Sequence, residues 1–174
     1  MNTSPLRVAL LGAESTGKST LAATLAAHYR TVWVPEYLRE FVEEKQRTPQ
    51  ESEQFLIAST QLTREEDSAR EANTLLFCDT TPLMTAIYSQ FYFGSIDTAL
   101  ENLVRAHRYD YTIVTEPSTP WIADGLQRES DTVRQAVHKL LLTTLAAEAI
   151  SFLLVSGAVE QRVQQVTKYL SEEK

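Results

Sequence analysis

Cysteine is nearly absent from this chain of 174 residues, with Cys78 the only one. A lone cysteine forms no intrachain disulfide, which excludes a small secreted fold stapled by disulfides and makes a reducing, cytoplasmic setting the expectation. Set inside an apolar run, Cys78 reads as a small core residue and not as a nucleophile. Long hydrophobic runs are missing too. No stretch approaches the roughly 18 uninterrupted apolar residues of a membrane-spanning helix, and no apolar signal-peptide core precedes the first predicted strand, so membrane insertion is not expected. Positive charge is scarce: 16 Lys and Arg stand against 23 Asp and Glu, a net charge of −7, and no Lys/Arg run exceeds two residues. Duplex binding depends on neutralising phosphates, so nucleic acid is not an expected partner. The three histidines, His28, His107 and His138, have no metal-ligand spacing and are expected at the surface.

What the chain does carry begins at Gly12. The apolar run Val8-Ala9-Leu10-Leu11 leads into Gly12-Ala13-Glu14-Ser15-Thr16-Gly17-Lys18-Ser19, and Thr20-Leu21-Ala22-Ala23 follows in a helical pattern. This is a Walker A loop in a strand-loop-helix setting. Glycines let such a backbone curl so that successive N–H groups meet phosphates, Lys18 is placed to bridge the β- and γ-phosphates, and the Ser19 hydroxyl to ligate Mg²⁺. ATP and Mg²⁺ are therefore the expected cofactors, with residues 12–20 as their contacts.

Four further strand patterns follow: Thr31–Val34, Thr74–Cys78, Tyr111–Thr115 and Ser151–Val155. Helical patterns alternate with them. The first, nearly continuous apolar strand belongs at the centre of a parallel sheet covered on both faces. One α/β domain over 1–174 accommodates all of this, with an irregular lid segment at about 116–134 that holds Trp121, Asp124, Gly125 and Arg128. From Gln50 to about Glu71 the pattern predicts one long helix with Phe55, Leu56, Ala58 and Leu62 inward. Its charged far half reads as a solvated surface with i,i+4 pairs such as Glu66 and Arg70. Most of the aromatic run Tyr88, Phe91, Tyr92 and Phe93 is expected in the core, with one or two lining a pocket for a planar ring.

Acids stand at two strand ends. Glu36 follows the second strand and Asp79 the third, where a Walker B acid belongs. Ligands collect beyond the carboxyl ends of parallel strands, which places Asp79 beside Lys18 and Ser19 as a metal and catalytic residue. A guanine-reading Asn-Lys-x-Asp is absent after the fourth strand, where Thr115-Glu116-Pro117-Ser118 stands, so a switch GTPase is not expected. The length leaves little room for the helical lid domain of a mechanical ATPase. What remains is the layout of a small kinase. Phosphoryl transfer needs an aligned hydroxyl, neutralised charge and excluded water. Glu36 and Asp79 are both candidates for the base, and Arg128 and Arg134 for closing over the phosphates. The other readings are a kinase for another nucleoside or small alcohol, and a regulatory ATP-binding module with no acceptor.

The loop 12–19, Pro35-Glu36-Tyr37-Leu38-Arg39-Glu40-Phe41, Asp79-Thr80 and Pro120-Trp121-Ile122-Ala123-Asp124-Gly125-Leu126-Gln127-Arg128 together resemble the ribosylnicotinamide kinase domain of NadR-type proteins. The resemblance runs over essentially the whole chain. It implies a three-layer P-loop NTPase fold whose five-stranded parallel sheet has the order 2-3-1-4-5. It also implies ATP-dependent phosphorylation of a nucleoside 5′-hydroxyl, nicotinamide riboside being the acceptor. Carried over by residue, Lys18 and Ser19 handle phosphates and metal, Asp79 lies near the metal and the acceptor hydroxyl, Glu36, Tyr37 and Arg39 face the substrate, and Trp121, Asp124 and Arg128 belong to the lid and substrate mouth.

Overall fold

The structure, a computed structural model, describes residues 4–118, 120–122 and 130–172. Its elements in chain order are β1 Leu6–Leu11, α1 Lys18–Tyr29, β2 Trp33–Val34, α2 Tyr37–Lys45, a 3₁₀ turn Glu51–Glu53 running into α3 Gln54–Ala69, β3 Leu75–Asp79, α4 Pro82–Phe93, α5 Thr98–Ala106, β4 Tyr111–Thr115, α6 Asp131–Ala147, β5 Leu153–Val155 and α7 Val159–Glu172. The strands form one sheet in the order β2-β3-β1-β4-β5, and every pairing is parallel. This is the P-loop NTPase architecture expected above. Among the described residues no helix is long and apolar enough to cross a membrane.

Alternation along the central strand decides the layers. Val8 and Leu10 point to one face, where Leu21 and Leu25 of α1 and Val166 and Leu170 of α7 cover them. Ala9 and Leu11 point to the other, against Met84 and Ile87 of α4 and Val137, Leu141 and Leu145 of α6. Capping fits the sequence: Asp97 accepts from the N–H groups of Ala99 (2.8 Å) and Leu100 (3.3 Å), Ser130 accepts from that of Val133 (3.2 Å), and Pro82 sits at the start of α4.

Helix α3 departs from expectation. Phe55 is 41% exposed and Leu56 52%, whereas the buried stripe is Gln54, Ile57, Ala58, Gln61, Leu62 and Glu65. The phase is set where the 3₁₀ turn enters the helix: Glu53 accepts from the Gln50 N–H at 2.8 Å and pairs with Arg47 at 2.7 Å. The buried polar groups of α3 then find internal partners, so an apolar pattern alone misplaces the face. The charged half differs as well. Glu66 pairs with Arg7 of β1 at 2.5 Å, and Arg70 with Asp67 at 3.5 Å. Glu65 is fully buried, with the Tyr109 hydroxyl 2.9 and 3.0 Å from its two oxygens and Arg7 at 3.3 Å. Of the histidines, His28 is exposed; His107 and His138 are half-buried, and burial lowers the pKa of His138, whose Nδ1 has no hydrogen-bond partner among the described residues. Cys78 is a buried core residue, as expected.

Candidate active site

Between the last residue of β1 and the first of α1 the chain has six residues in which to turn. Gly12 is compulsory there, since a Cβ at that position would lie 2.2 Å from Thr115 Oγ1 and 2.9 Å from Thr16 Oγ1. Gly17 adopts φ 85° at the helix start, and Ser15 takes the left-handed region at φ 59°. The loop carbonyls are engaged one after another from the protein side. Lys18 Nζ donates to Ala13 O at 2.9 Å and the Thr16 hydroxyl to the same oxygen at 2.8 Å; Arg134 donates to Ser15 O at 3.2 Å, and Arg162 to Thr16 O. Thr115, at the end of β4, closes the bottom with its hydroxyl 2.6 Å from that of Thr16 and 3.3 Å from Leu11 O. The first N–H groups of α1 have no intrahelical partners and carry the positive end of the helix dipole, so the rim they form suits an anion.

Asp79 reaches this rim because β3 pairs directly with β1, in a register that sets Leu10 opposite Asp79. Ser19 donates to Asp79 Oδ2 at 2.6 Å. Asp79 is fully buried, and its Oδ1 has no partner among the described residues. Burial pushes its carboxyl above the usual aspartate range, while the charge of Lys18, the Ser19 hydrogen bond and the charge of Arg39 pull the other way. A buried carboxylate oxygen left over beside a hydroxyl suits a hard cation such as Mg²⁺, which takes one or two protein oxygens and completes its shell with water and phosphate. Among the described residues no cluster of three or more His, Cys, Asp or Glu is placed to hold a metal. Thr80, immediately after, sits at φ 72°, an uncommon conformation for a β-branched residue and the turn that sends the chain into α4.

Across from the loop lies the turn joining β2 to α2. Gln61, buried on α3, accepts from the Tyr37 N–H at 2.8 Å and donates to Pro35 O at 3.2 Å, so one side chain grips the backbone on both sides of Glu36. Glu36, Leu38, Arg39 and Tyr88 join residues 14–20 in lining a cavity of about 210 Å³. Among the described residues of that lining, Tyr88 is the aromatic one. Burial first, then the Glu14 and Glu36 carboxylates, hold its phenol well above the usual range and keep it protonated. Tyr92 stacks behind it at 6.2 Å and is exposed, as is Phe93.

The residues nominated from sequence therefore divide. Lys18, Ser19, Glu36, Arg39 and Asp79 converge on one place, with Glu14, Ser15, Thr16, Gly17 and Thr20 around them, and Gly12 and Ala13 buried behind. Tyr37 lies elsewhere: its ring packs on Phe41 with Arg64 4.7 Å above it, in the seam of α2 and α3. Arg134 is buried near the start of α6, tied to Asp131 at 2.6 Å and to the loop carbonyl Ser15 O. Trp121 is half-buried, and its neighbour Ile122 accepts from the Ser15 hydroxyl at 3.4 Å. Asp124 and Arg128 lie outside the described residues. Gln61, Thr115 and Arg162 were not nominated. Thr115 carried a signal, since it ends the strand next to the loop's own; the two others are polar residues in helical stripes and gave none.

A sequence-family profile described as an AAA domain matches residues 7–162. The trifunctional NAD biosynthesis/regulator protein NadR of Salmonella typhimurium is 33% identical over 156 residues, 87% of this chain and 38% of the relative. The NadR of Escherichia coli is 33% identical over 153 residues, 85% of this chain and 37% of the relative. The chain thus spans well under half the length of the curated relatives it matches. Among solved structures, NadR protein in complex with NR superposes with a TM-score of 0.80 at 22% identity, covering 96% of this chain and 52% of that one. Thymidylate kinase from Candida albicans superposes at 0.68 with 15% identity, covering 98% and 92%. These structural likenesses establish the fold.

Proposed function

The chain belongs to this AAA-domain family of P-loop proteins, and from that premise we propose that it is an ATP-dependent kinase phosphorylating the 5′-hydroxyl of a nucleoside, with nicotinamide riboside as the acceptor. The observation that carries the reading is a cavity lined by Lys18 and Ser19 together with Glu36 and Arg39, with Asp79 bonded to Ser19 behind it. The 33% identity to two NAD biosynthesis proteins supports the choice of acceptor.

In this mechanism the N–H groups of residues 14–19 and the Lys18 ammonium hold the β- and γ-phosphates, Lys18 exchanging Ala13 O for phosphate oxygen. Ser19 and Asp79 are the residues that would hold Mg²⁺, which when bound neutralises charge on the phosphate oxygens. With Asp79 assigned to the metal, we assign the base to Glu36, which lines the cavity opposite the loop. Its carboxylate takes the proton of the acceptor hydroxyl as that oxygen bonds to the γ-phosphorus, and the bond from phosphorus to the β,γ-bridging oxygen breaks to release ADP. Arg39 balances charge on the acceptor side, and Tyr88 offers a protonated phenol and a ring to the acceptor. Trp121, Asp124 and Arg128 are assigned to the segment that covers the acceptor, which excludes water from the transfer.

The test follows ADP release with Mg-ATP and a panel of nucleosides, with the product identified by mass. Stimulation by nicotinamide riboside and formation of its 5′-monophosphate are expected. Stimulation by a different nucleoside alone would replace the acceptor, and release no faster than ATP hydrolysis for every member would overturn the kinase reading.

A further inference from the structure

Arg162 lies in the first turn of α7 and is 2% exposed. Four hydrogen bonds hold its guanidinium: Nε donates to Gly157 O at 2.9 Å, one terminal nitrogen to Thr16 O, and the other to Glu116 O at 3.3 Å and Ser118 Oγ at 3.5 Å. The four acceptors come from the phosphate-type loop, the exit of β4 and the exit of β5. All are neutral oxygens, and among the described residues no carboxylate pairs with this guanidinium. Arg134, nearly as buried and bonded to the preceding loop carbonyl, has Asp131 at 2.6 Å.

Docking the helix does not call for a charge here. Arg162 shares its buried stripe with Val166 and Leu170, where an apolar side chain seats α7 on the sheet without desolvating an ion. Burial does weigh against the charged form, lowering the pKa, with the Glu116 carboxylate a smaller opposing influence. The charge also lies close under the loop, because a Cβ built on Gly17 would be 3.3 Å from the Arg162 terminal nitrogen.

We propose that Arg162 is a positioning residue for polyphosphate binding: its planar fork fixes the Thr16 peptide against the exits of β4 and β5, and its unneutralised charge is balanced by the phosphates on the loop's far side. The inference rests on the triphosphate reading of the loop and is independent of which acceptor is used. It explains why the position carries arginine: only a fork reaches acceptors on three segments at once.

The test measures the affinity of the full chain for Mg-ATP and for inorganic tripolyphosphate, with melting temperatures in their absence, for wild type, R162Q and R162K. R162Q is expected to melt below the wild-type temperature without ligand, since buried carbonyls lose their donors, and also to bind both ligands at least about ten-fold more weakly, the loss of charge-assisted bonds being of that order. R162K, with the charge but not the fork, is expected between the two. Equal losses for ATP and tripolyphosphate mark an effect on the phosphate loop and not on nucleoside contacts. A purely structural arginine would lower the melting temperature but leave the affinity of the folded chain within about two-fold, which overturns the proposal. If R162Q does not fold, R162K decides: wild-type affinity in that variant refutes the fork. Failure of the wild-type chain to bind either ligand would overturn the triphosphate reading itself, a result distinct from wild-type binding that R162Q leaves intact.

Discussion

Replacing Glu65 by Gln should make the protein more stable, and increasingly so as the pH rises. The carboxyl is fully buried between α3, β1 and the start of β4. Burial raises its pKa from 4.5 to about 7, although the Tyr109 hydroxyl and the Arg7 guanidinium pull it down. The native state therefore holds a proton that the unfolded chain releases between these two values. The stability Glu65 contributes is present below pH 4.5, is lost as the pH rises to about 7, and changes little above that. A shift from 4.5 to about 7, at roughly 1.4 kcal/mol per pH unit, amounts to about 3 kcal/mol, of which about 2.5 falls between pH 5 and pH 8. Glutamine keeps an acceptor for Tyr109 and carries no charge, and Arg7 retains Glu66 at 2.5 Å. Urea unfolding of wild type and E65Q at pH 5 and pH 8 isolates the effect as a difference of differences, cancelling every other titrating group. The advantage of E65Q should grow by about 2 to 3 kcal/mol between the two pH values. Growth of less than about 1 kcal/mol, or a fall, would refute the account of a carboxyl held protonated by burial.

Three further outcomes follow from the site. Lys18→Ala should reduce phosphoryl transfer by several orders of magnitude, as measured by initial rates at saturating substrate, because a contact that strengthens in the transition state is removed; turnover near that of wild type would remove Lys18 from the mechanism. Asp79→Asn should lower kcat far more than it weakens ATP binding, and the reverse split, from steady-state kinetics and calorimetry, would make Asp79 structural. Gly12→Ala should lose most ATP binding, because its Cβ would sit 2.2 Å from Thr115 Oγ1, and adding Thr115→Ala should restore part of that loss by removing the hydroxyl.

The parts legible in the sequence were those written locally. Glycine, lysine and serine spacing located the loop, apolar continuity put β1 between two helical layers, and an acid at the end of β3 was rightly set beside Ser19. Illegible parts share a physical cause: a buried polar residue whose partner is far along the chain. Glu65 meets Tyr109, Gln61 meets Pro35 and Tyr37, and Arg162 meets Thr16, yet in a hydrophobicity pattern each looks like a surface position. The misplaced face of α3 follows directly, since Phe55 and Leu56 attracted the inward assignment that Gln54 and Gln61 actually fill. Tyr37 shows the same limit in reverse: a motif residue beside Glu36 whose ring belongs to the α2–α3 seam.

Gln61 also bears on how such a site changes over time. Because one amide grips main-chain atoms before and after Glu36, the bend between β2 and α2 keeps its shape whatever side chains it displays. Leu38 and Arg39 line the cavity from that bend, and Leu38 also packs against Phe41, Val42 and Ile57. The arrangement works as a socket with an interchangeable fitting: on the proposed kinase reading, selectivity at the acceptor end is open to exchange at position 39 while Gln61 and the packed Leu38 are kept. If the proposed reading holds, a variant library there, screened against different nucleosides, samples new acceptors without rebuilding the fold around them.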